Sequence, residues 1–303
     1  MAQTDASLSE SLSVPAPSAV LELFKPITWF APMWAFMCGV VSSNASLSSR
    51  WQLLIAGMVL AGPLICATSQ AVNDWFDRHV DAINEPARPI PSGRIPGRWG
   101  LLIALVWTVA SLGFSALLGK WVFWAAVLGL FLSWAYSAPP LRLKQDGWLG
   151  PAAVALSYEG LTWFTGAAVM TGGLPDSRIL FLCAAYSVGA HGIMTLNDFK
   201  AVEGDAQMGI RSLPVTLGVE NAALIACVMM ALPQFVVAVK LASWGRPIHA
   251  AIVGLFLLVQ VGLMARLLRD PRKYAPWYNA TGTSLFVFGM LASAFAVRTL
   301  VGG

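Results

Sequence analysis

The sequence contains very little charge. Only 11% of its 303 residues are Asp, Glu, Lys or Arg, and 57% are hydrophobic, whereas soluble proteins carry about 25% charged residues. This composition excludes a water-exposed globular protein. The 19 basic and 15 acidic residues give a net charge of +4 that is dispersed along the chain, which also excludes a nucleic-acid-binding protein. We expect an integral membrane protein with the lipid bilayer as its solvent.

Cysteine is also scarce. The four cysteines stand singly in apolar stretches, at Cys38, Cys66, Cys183 and Cys227. They lack the close spacing of a zinc site and the pattern of a disulfide framework. We interpret them as small buried apolar residues.

Basic residues are missing from the first 20 residues, which are rich in Ser, Ala and Pro and contain Asp5 and Glu10. A signal peptide needs a positive start and an apolar stretch. We therefore expect residues 1–20 to be a disordered cytosolic segment, followed by a single intramembrane domain over residues 21–303.

Long apolar runs fill the remainder. A membrane-spanning helix needs about 20 apolar residues, and nine runs approach this length. They lie near residues 24–43, 52–73, 99–118, 121–137, 148–171, 178–197, 220–242, 246–268 and 276–301. The sequence therefore predicts an all-α, multi-pass membrane protein with nine transmembrane helices.

The basic residues indicate the orientation of these helices. With the N-terminus inside, 13 of the 19 Lys and Arg residues lie on the cytoplasmic side and 6 lie outside. The positive-inside rule thus favours a cytoplasmic N-terminus and an external C-terminus. The loops after spans two, four and six are the long, charged ones, so we expect the active site on the cytoplasmic face.

The second run ends in a polar segment that reads NDWFDRHVD over residues 73–81. If the helix continues through this segment, Gln70, Asn73, Asp74, Asp77 and Asp81 form one stripe on a single helix face.

A second acidic segment follows the sixth run and reads NDFKAVEGD over residues 197–205. Its Asn197, Asp198 and Asp205 repeat Asn73, Asp74 and Asp81 at an offset of 124 residues. Both segments end an even-numbered span and so emerge on the same membrane face. We expect the two acidic clusters to face each other across the bundle.

Clustered carboxylates at a membrane boundary need compensation. Oxygen ligands without clustered His or Cys favour Mg²⁺ over Zn²⁺. Asp74 and Asp81 are separated by about 10 Å of helical rise, so one ion cannot bridge them and we expect more than one Mg²⁺. The candidate metal ligands are Asp74, Asp77, Asp81, Asp198, Glu203 and Asp205.

Basic residues accompany the acids in the predicted cytoplasmic loops. Mg²⁺ commonly binds through one or two carboxylates plus substrate phosphates, and bases beside the metal ligands could hold phosphate oxygens. The candidates are Arg88, Arg142, Lys144, Lys200 and Arg211. A lipid-embedded diphosphate site of this kind suits a prenyl diphosphate, whose tail needs an apolar environment.

Two further polar residues fall within predicted spans. Glu159 lies in the middle of span five, where it either pairs with a neighbouring helix or faces an acceptor substrate. His191 lies seven residues before Asp198 and should share its helix face. A purely structural role remains open for both.

These motifs resemble those of the UbiA superfamily of intramembrane aromatic prenyltransferases. Members of that superfamily are nine-helix bundles with Asp-rich Mg²⁺-diphosphate motifs after helices two and six. The superfamily's first motif, NDxxDxxxD, is matched in full. Within the superfamily, the chain looks like the chlorophyll and bacteriochlorophyll synthase branch over residues 73–93, 136–150 and 197–218. The usual second motif, DxxxD, is broken by Ala201, and Asp198 and Glu203 are the candidates to replace the missing carboxylate.

The resemblance implies Mg²⁺-dependent esterification of the propionate of a chlorophyllide-type pigment with geranylgeranyl or phytyl diphosphate. It also implies a bacterial inner (intracytoplasmic) membrane location and possible pigment-assembly protein partners. The LFKPITWF run at residues 23–30 looks closer to the bacteriochlorophyll enzymes than to the chlorophyll enzymes. The alternatives are a prenyltransferase of a quinone precursor or haem, and a non-enzymatic pigment carrier.

The predicted site residues fall into two groups. Asp74, Asp77, Asp81, Asp198 and Asp205 are predicted to be catalytic because they would hold the Mg²⁺-diphosphate leaving group. Substrate-binding roles are predicted for Asn73, Arg88, Arg142, Lys144, Asn197, Lys200, Arg211, Glu159 and His191.

Overall fold

The structure is a computed structural model that describes residues 14–301. Within this range the chain is helical, and its one strand-like pairing is an isolated bridge between Asp146 and Arg211. The helices are α1 Pro17–Leu23, α2 Phe30–Ser42, α3 Leu47–Asn84, α4 Trp99–Leu118, α5 Lys120–Ser137, α6 149–171, α7 Ser177–Leu196, α8 Val202–Gln207, α9 Leu213–Leu217, α10 Val219–Ser243, α11 Pro247–Leu267 and α12 Pro271–Arg298.

Six helices in residues 14–301 are long and apolar enough to cross a membrane. They are α3, α4, α7 with the short turn that follows it, α10, α11 and α12. The three other apolar runs also form helices, namely α2, α5 and α6, but each of these is too short or too weakly apolar to count as a membrane span by itself. The structure therefore supports a multi-pass helical bundle, and the count of nine spans stays a prediction.

The expected disordered lead-in is wrong for residues 17–20. These residues belong to helix α1, which begins at Pro17, a residue type favoured in the first helical turn. The helix is held by its apolar side, since Ala19 and Leu23 are buried in a cluster with residues of α3 and α4. Residues 1–13 of that prediction lie outside the described residues.

Two glycines allow α2 and α6 to cross closely. A Cβ atom added to Gly39 would lie 2.0 Å from the backbone oxygen of Trp163, and one added to Gly166 would lie 2.1 Å from that of Phe36. Small residues are the usual means of close helix packing in membranes. The crossing fixes the position of α6, which carries one wall of the candidate site.

Two helices contain π-helical turns. In α3 the turn covers Leu60–Cys66 and includes Pro63, which lacks the N–H needed for a regular α-helical ladder. In α6 the turn covers Leu156–Leu161, between the α-helical parts Leu149–Ala155 and Thr162–Thr171. Such turns often occur at functional sites.

Large apolar side chains cover much of the outer surface, as expected for a protein in lipid. Leu117, Val109 and Leu258 are exposed by 82%, 69% and 69%. The four cysteines are all free and buried, as predicted. Polar residues instead gather at the ends of α3 and α7 and in the loop between α5 and α6.

Candidate active site

A cavity of about 980 Å³ is lined by residues from both acidic segments. Its wall contains Asn73, Asp77, Asp81, Asn197, Asp198 and Asp205. The structure thus brings together the two segments that the internal repeat predicts to face each other. The α5–α6 loop contributes Arg142 and Lys144 to the same wall.

Helix α3 continues to Asn84 without interruption after its π-helical turn, as the polar stripe predicts. Asn73, Asp77 and Asp81 are spaced by four residues and therefore share one face, which lines the cavity. Asp74 points to the flank of this face and is not part of the wall. Asp74 is almost fully buried, with 1% exposure of the residue.

Asp74 is instead held by two bases. The Nζ atom of Lys25 lies 2.6 Å from its Oδ1 atom, and a guanidinium nitrogen of Arg88 lies 3.5 Å from the same oxygen. Arg88 also binds Asp81 at 2.9 Å and Glu85 at 2.6 Å. Lys25 was not among the predicted site residues, because a single base before the first span is explained equally well by topology.

Asp77 forms the second charged cluster on α3. Lys144 donates to its Oδ1 atom, Asn73 donates to its Oδ2 atom at 3.0 Å, and Arg142 lies 4.0 Å away. Burial lowers the pKa of Lys144, while the neighbouring Asp77 carboxylate acts in the opposite direction. The predicted pairing of acids with bases is therefore present in the α5–α6 loop.

The second segment is not a continuation of its helix. Helix α7 ends at Leu196, and Asp198 begins a short 3-10 turn. The prediction that His191 shares the face of Asp198 is therefore wrong. The His191 ring is buried outside the cavity wall, where its Nε2 atom lies 3.1 Å from the backbone oxygen of Trp148.

Asp198 and Asp205 differ in their partners. Asp205 accepts a hydrogen bond from the Ser212 hydroxyl at 2.8 Å, and burial raises its pKa while this bond opposes the shift. Within residues 14–301, no hydrogen bond or ion pair engages the Asp198 carboxylate. Asp198 is thus a cavity carboxylate without a counter-charge.

Several predicted site residues lie away from the cavity wall. Glu203 is exposed and paired with Arg272 at 2.5 Å, because the helical turn of α8 directs it outward from Asp205. Lys200 and Arg211 are exposed, and Arg211 lies 3.5 Å from Asp146. Glu159 is buried in the π-helical turn of α6, where its Oε2 atom has no partner among the described residues.

Other cavity residues were not predicted. Tyr158, from the π-helical turn of α6, accepts a hydrogen bond from Gln70 at 3.2 Å, and Tyr136 lies on the wall contributed by α5. Trp75 and Trp134 lie in or next to the first acidic segment but do not line the cavity. The Arg78 guanidinium lies over the Trp75 ring, and Trp134 packs against Phe76.

The donor set of the cavity fits Mg²⁺. Asp77, Asp81, Asp198 and Asp205 offer carboxylate oxygens and Asn73 offers an amide oxygen, which are the ligand types of a hard cation. In residues 14–301 no three His, Cys, Asp or Glu residues already converge on one point, and Asp77 and Asp81 are each paired with a base. The uncompensated Asp198 is the observation that best fits an added cation.

The fold and the cavity together define a membrane-embedded helical protein with carboxylates and bases at one end of an apolar bundle. Sequence comparison gives the family. The profile of the UbiA prenyltransferase family matches residues 31–297. The chain therefore belongs to the UbiA prenyltransferase family.

Relatives and solved structures agree with this membership. The chain is 58% identical over 288 residues to the bacteriochlorophyll synthase 33 kDa chain of Cereibacter sphaeroides, covering 95% of both chains. It is 41% identical to the chloroplastic chlorophyll synthase of Oryza sativa subsp. japonica, over 91% of this chain and 76% of that one. A UbiA homologue from Archaeoglobus fulgidus, solved bound to GPP and Mg²⁺, has the same fold, with a TM-score of 0.73 at 20% identity over 93% of this chain and 99% of that chain.

Proposed function

We propose that this chain is a bacteriochlorophyll synthase that transfers a prenyl group from geranylgeranyl or phytyl diphosphate to the propionate of bacteriochlorophyllide. The observation that carries the proposal is the single cavity shared by the two acidic segments, with Arg142 and Lys144 on the same wall. The similarity to a protein named bacteriochlorophyll synthase over 95% of both chains supports the choice of acceptor.

The cavity residues suit the binding of a metal–diphosphate head. Asp77, Asp81, Asp198 and Asp205, with Asn73, would hold Mg²⁺, which would neutralise the diphosphate and make it a better leaving group. Arg142 and Lys144 adjoin Asp77 and would hold diphosphate oxygens. Asp74 would act from behind this wall, through the network that Lys25 and Arg88 form with it.

The acceptor needs no chemical activation by the protein. A propionate is already ionised at pH 7, so its oxygen can attack the first prenyl carbon without a general base. The new ester C–O bond forms as the C–O bond to diphosphate breaks, and the diphosphate leaves with the bonding electrons. The residues of the cavity therefore mainly bind and orient the two substrates.

The decisive assay uses membranes containing the protein, bacteriochlorophyllide, geranylgeranyl diphosphate and Mg²⁺. We expect an esterified bacteriochlorophyll whose formation stops when EDTA is added. Chlorophyllide, a quinone precursor and haem serve as competing acceptors. Turnover of only a competing acceptor, or turnover that is indifferent to EDTA, would overturn the proposal.

Chlorophyllide is the second candidate acceptor, because the chain is 41% identical to a chlorophyll synthase. Chlorophyllide ranks second as an acceptor because the identity to the bacteriochlorophyll enzyme is higher, at 58%. The ratio of kcat/KM for the two pigments decides between them, and we expect bacteriochlorophyllide to have the higher value.

We further propose nine spans, with the N-terminus and the cavity on the cytoplasmic side of a bacterial inner membrane. The distribution of basic residues supports this orientation. A reporter enzyme fused after Gly303 should lie on the side opposite residue 1. A reporter on the same side would contradict the odd number of spans.

A further inference from the structure

Two loops that both line the cavity are joined by backbone pairing. The loop between α5 and α6 lies against the loop between α8 and α9. The N–H of Arg211 donates to the backbone oxygen of Gln145 at 2.9 Å, and the N–H of Gly147 donates to that of Arg211 at 2.9 Å. We call this contact the loop bridge, formed by residues 145–147 and residue 211.

The loop bridge connects the two charged clusters of the cavity. On one side, Lys144 immediately precedes it and binds Asp77 of the first acidic segment. On the other side, Ser212 immediately follows it and donates to Asp205 of the second segment at 2.8 Å. A displacement of the bridge would therefore move both contacts.

Gly147 allows the two loops to approach this closely. A Cβ atom at this position would lie 2.5 Å from the backbone nitrogen of Leu213 and 2.8 Å from the backbone oxygen of Arg211. Both neighbours are backbone atoms and cannot rotate away, so the loops would have to separate by close to an ångström. A side chain of any kind is incompatible with the observed contact.

The side chain of Asp146 ties the same loop to the start of α6. Its Oδ1 atom accepts hydrogen bonds from the N–H groups of Trp148 at 2.9 Å and Leu149 at 3.0 Å, where α6 begins. These two bonds lower the pKa of Asp146. Its Oδ2 atom lies 3.5 Å from Arg211.

We propose that the loop bridge positions the two acidic segments relative to each other, with Gly147 as the residue that sets their separation. Gly147 and Asp146 are positioning residues that act through Lys144 and Asp205. The inference rests on the proposed function in taking this cavity to bind a metal–diphosphate head. A misplacement of about 1 Å in such a site can reduce activity by about 100-fold.

The test measures binding of inorganic diphosphate with Mg²⁺ to the purified full-length protein, from the ligand-dependent rise in its melting temperature. For Gly147→Ala we expect the half-saturating diphosphate concentration to rise by about 10-fold or more. Gly204→Ala is the matched control, since a Cβ atom at Gly204 meets nothing within 4 Å although it adjoins Asp205. Unchanged binding by Gly147→Ala, or equal weakening by Gly204→Ala, would overturn the proposal.

A second pair of variants keeps the test decisive if Gly147→Ala does not fold. Asp146→Asn retains an oxygen that can accept both N–H bonds, whereas Asp146→Ala removes it. We expect Asp146→Ala to weaken diphosphate binding and Asp146→Asn to remain closer to wild type. Equal affinity of the two variants would contradict a positioning role.

The kinetic readout separates positioning from a general loss of folded protein. Gly147→Ala should raise the KM for prenyl diphosphate without raising the KM for the pigment, whereas partial unfolding would lower only the apparent kcat. The diphosphate-binding measurement contains no pigment. Failure of the wild-type protein to esterify bacteriochlorophyllide would therefore refute the proposed function and leave the loop bridge to be judged by binding.

Discussion

Replacement of Lys25 by Met should destabilise the protein because it removes the nearest counter-charge of a buried carboxylate. Lys25 lies 2.6 Å from Asp74, whose side chain is 2% exposed. The remaining base, Arg88, lies at 3.5 Å and also serves Asp81 and Glu85. The other oxygen of Asp74 has no partner among the described residues.

The size of the effect follows from these contacts. A hydrogen bond to a charged group contributes about 1.5–3 kcal/mol, and the Lys25 side chain is only 25% exposed, so solvent screens the pair incompletely. We expect a loss of about 2 kcal/mol. At about 2 °C per kcal/mol for a chain of this size, the melting temperature should fall by about 4 °C.

The assay is thermal unfolding of the purified protein in detergent, with Arg94→Gln as the control. Arg94 pairs with Glu22, and these side chains are 44% and 50% exposed, so loss of the pair should change the melting temperature much less. The double variant Lys25→Met/Asp74→Asn should lose less stability than the sum of the single variants. Additive effects, or equal shifts in Lys25→Met and Arg94→Gln, would show that Lys25 does not stabilise the buried Asp74 carboxylate.

Three further predictions concern single side chains. Asp81→Asn should abolish Mg²⁺-dependent turnover while the melting temperature stays near that of wild type; near-normal activity of the folded variant would remove Asp81 from the site. Lys144→Met should raise the KM for prenyl diphosphate by about 10-fold, which corresponds to one lost charge-assisted hydrogen bond. Because burial lowers the pKa of Lys144, its positive charge is lost at lower pH than in a free lysine, so the wild-type KM should rise earlier on the alkaline side, and a flat pH profile would contradict this. Gln260→Leu should cost about 1–3 kcal/mol by unpairing Gln234, which exchanges two hydrogen bonds with it, and the double Leu variant should recover part of that loss in denaturation experiments.

The helical content and the first acidic segment were predictable from the sequence. Each apolar run forms a helix, and α3 continues through Asn84 because its polar residues repeat at helical spacing. The pairing of Asn73, Asp77 and Asp81 on one face follows from that spacing alone.

The second segment was less predictable because its spacing does not reflect one regular helix. Helix α7 ends before Asp198, so the seven-residue interval between His191 and Asp198 does not place them on one helix face. Glu203 and Asp205 are neighbours in sequence, yet one pairs outward with Arg272 and the other faces the cavity. Only the packing of α8 and α9 against the rest of the bundle decides between them.

Long-range partners could not be read from the sequence. Lys25 forms an ion pair with Asp74, which lies 49 residues further along the chain. Gly147 donates a backbone hydrogen bond to Arg211 in a loop contact that no sequence periodicity predicts. The π-helical turn that carries Tyr158, and the close backbone approach of α2 and α6 at Gly39 and Gly166, likewise have no periodic signal in the sequence.

In the proposed function, both acidic segments form one Mg²⁺-dependent diphosphate site. The most direct test measures equilibrium binding of labelled geranylgeranyl diphosphate to the purified protein, with and without Mg²⁺, in the wild type, Asp77→Asn and Asp198→Asn. We expect saturable binding that requires Mg²⁺ and is lost in both variants. Binding that persists without Mg²⁺, or that is lost in only one of the two variants, would contradict it.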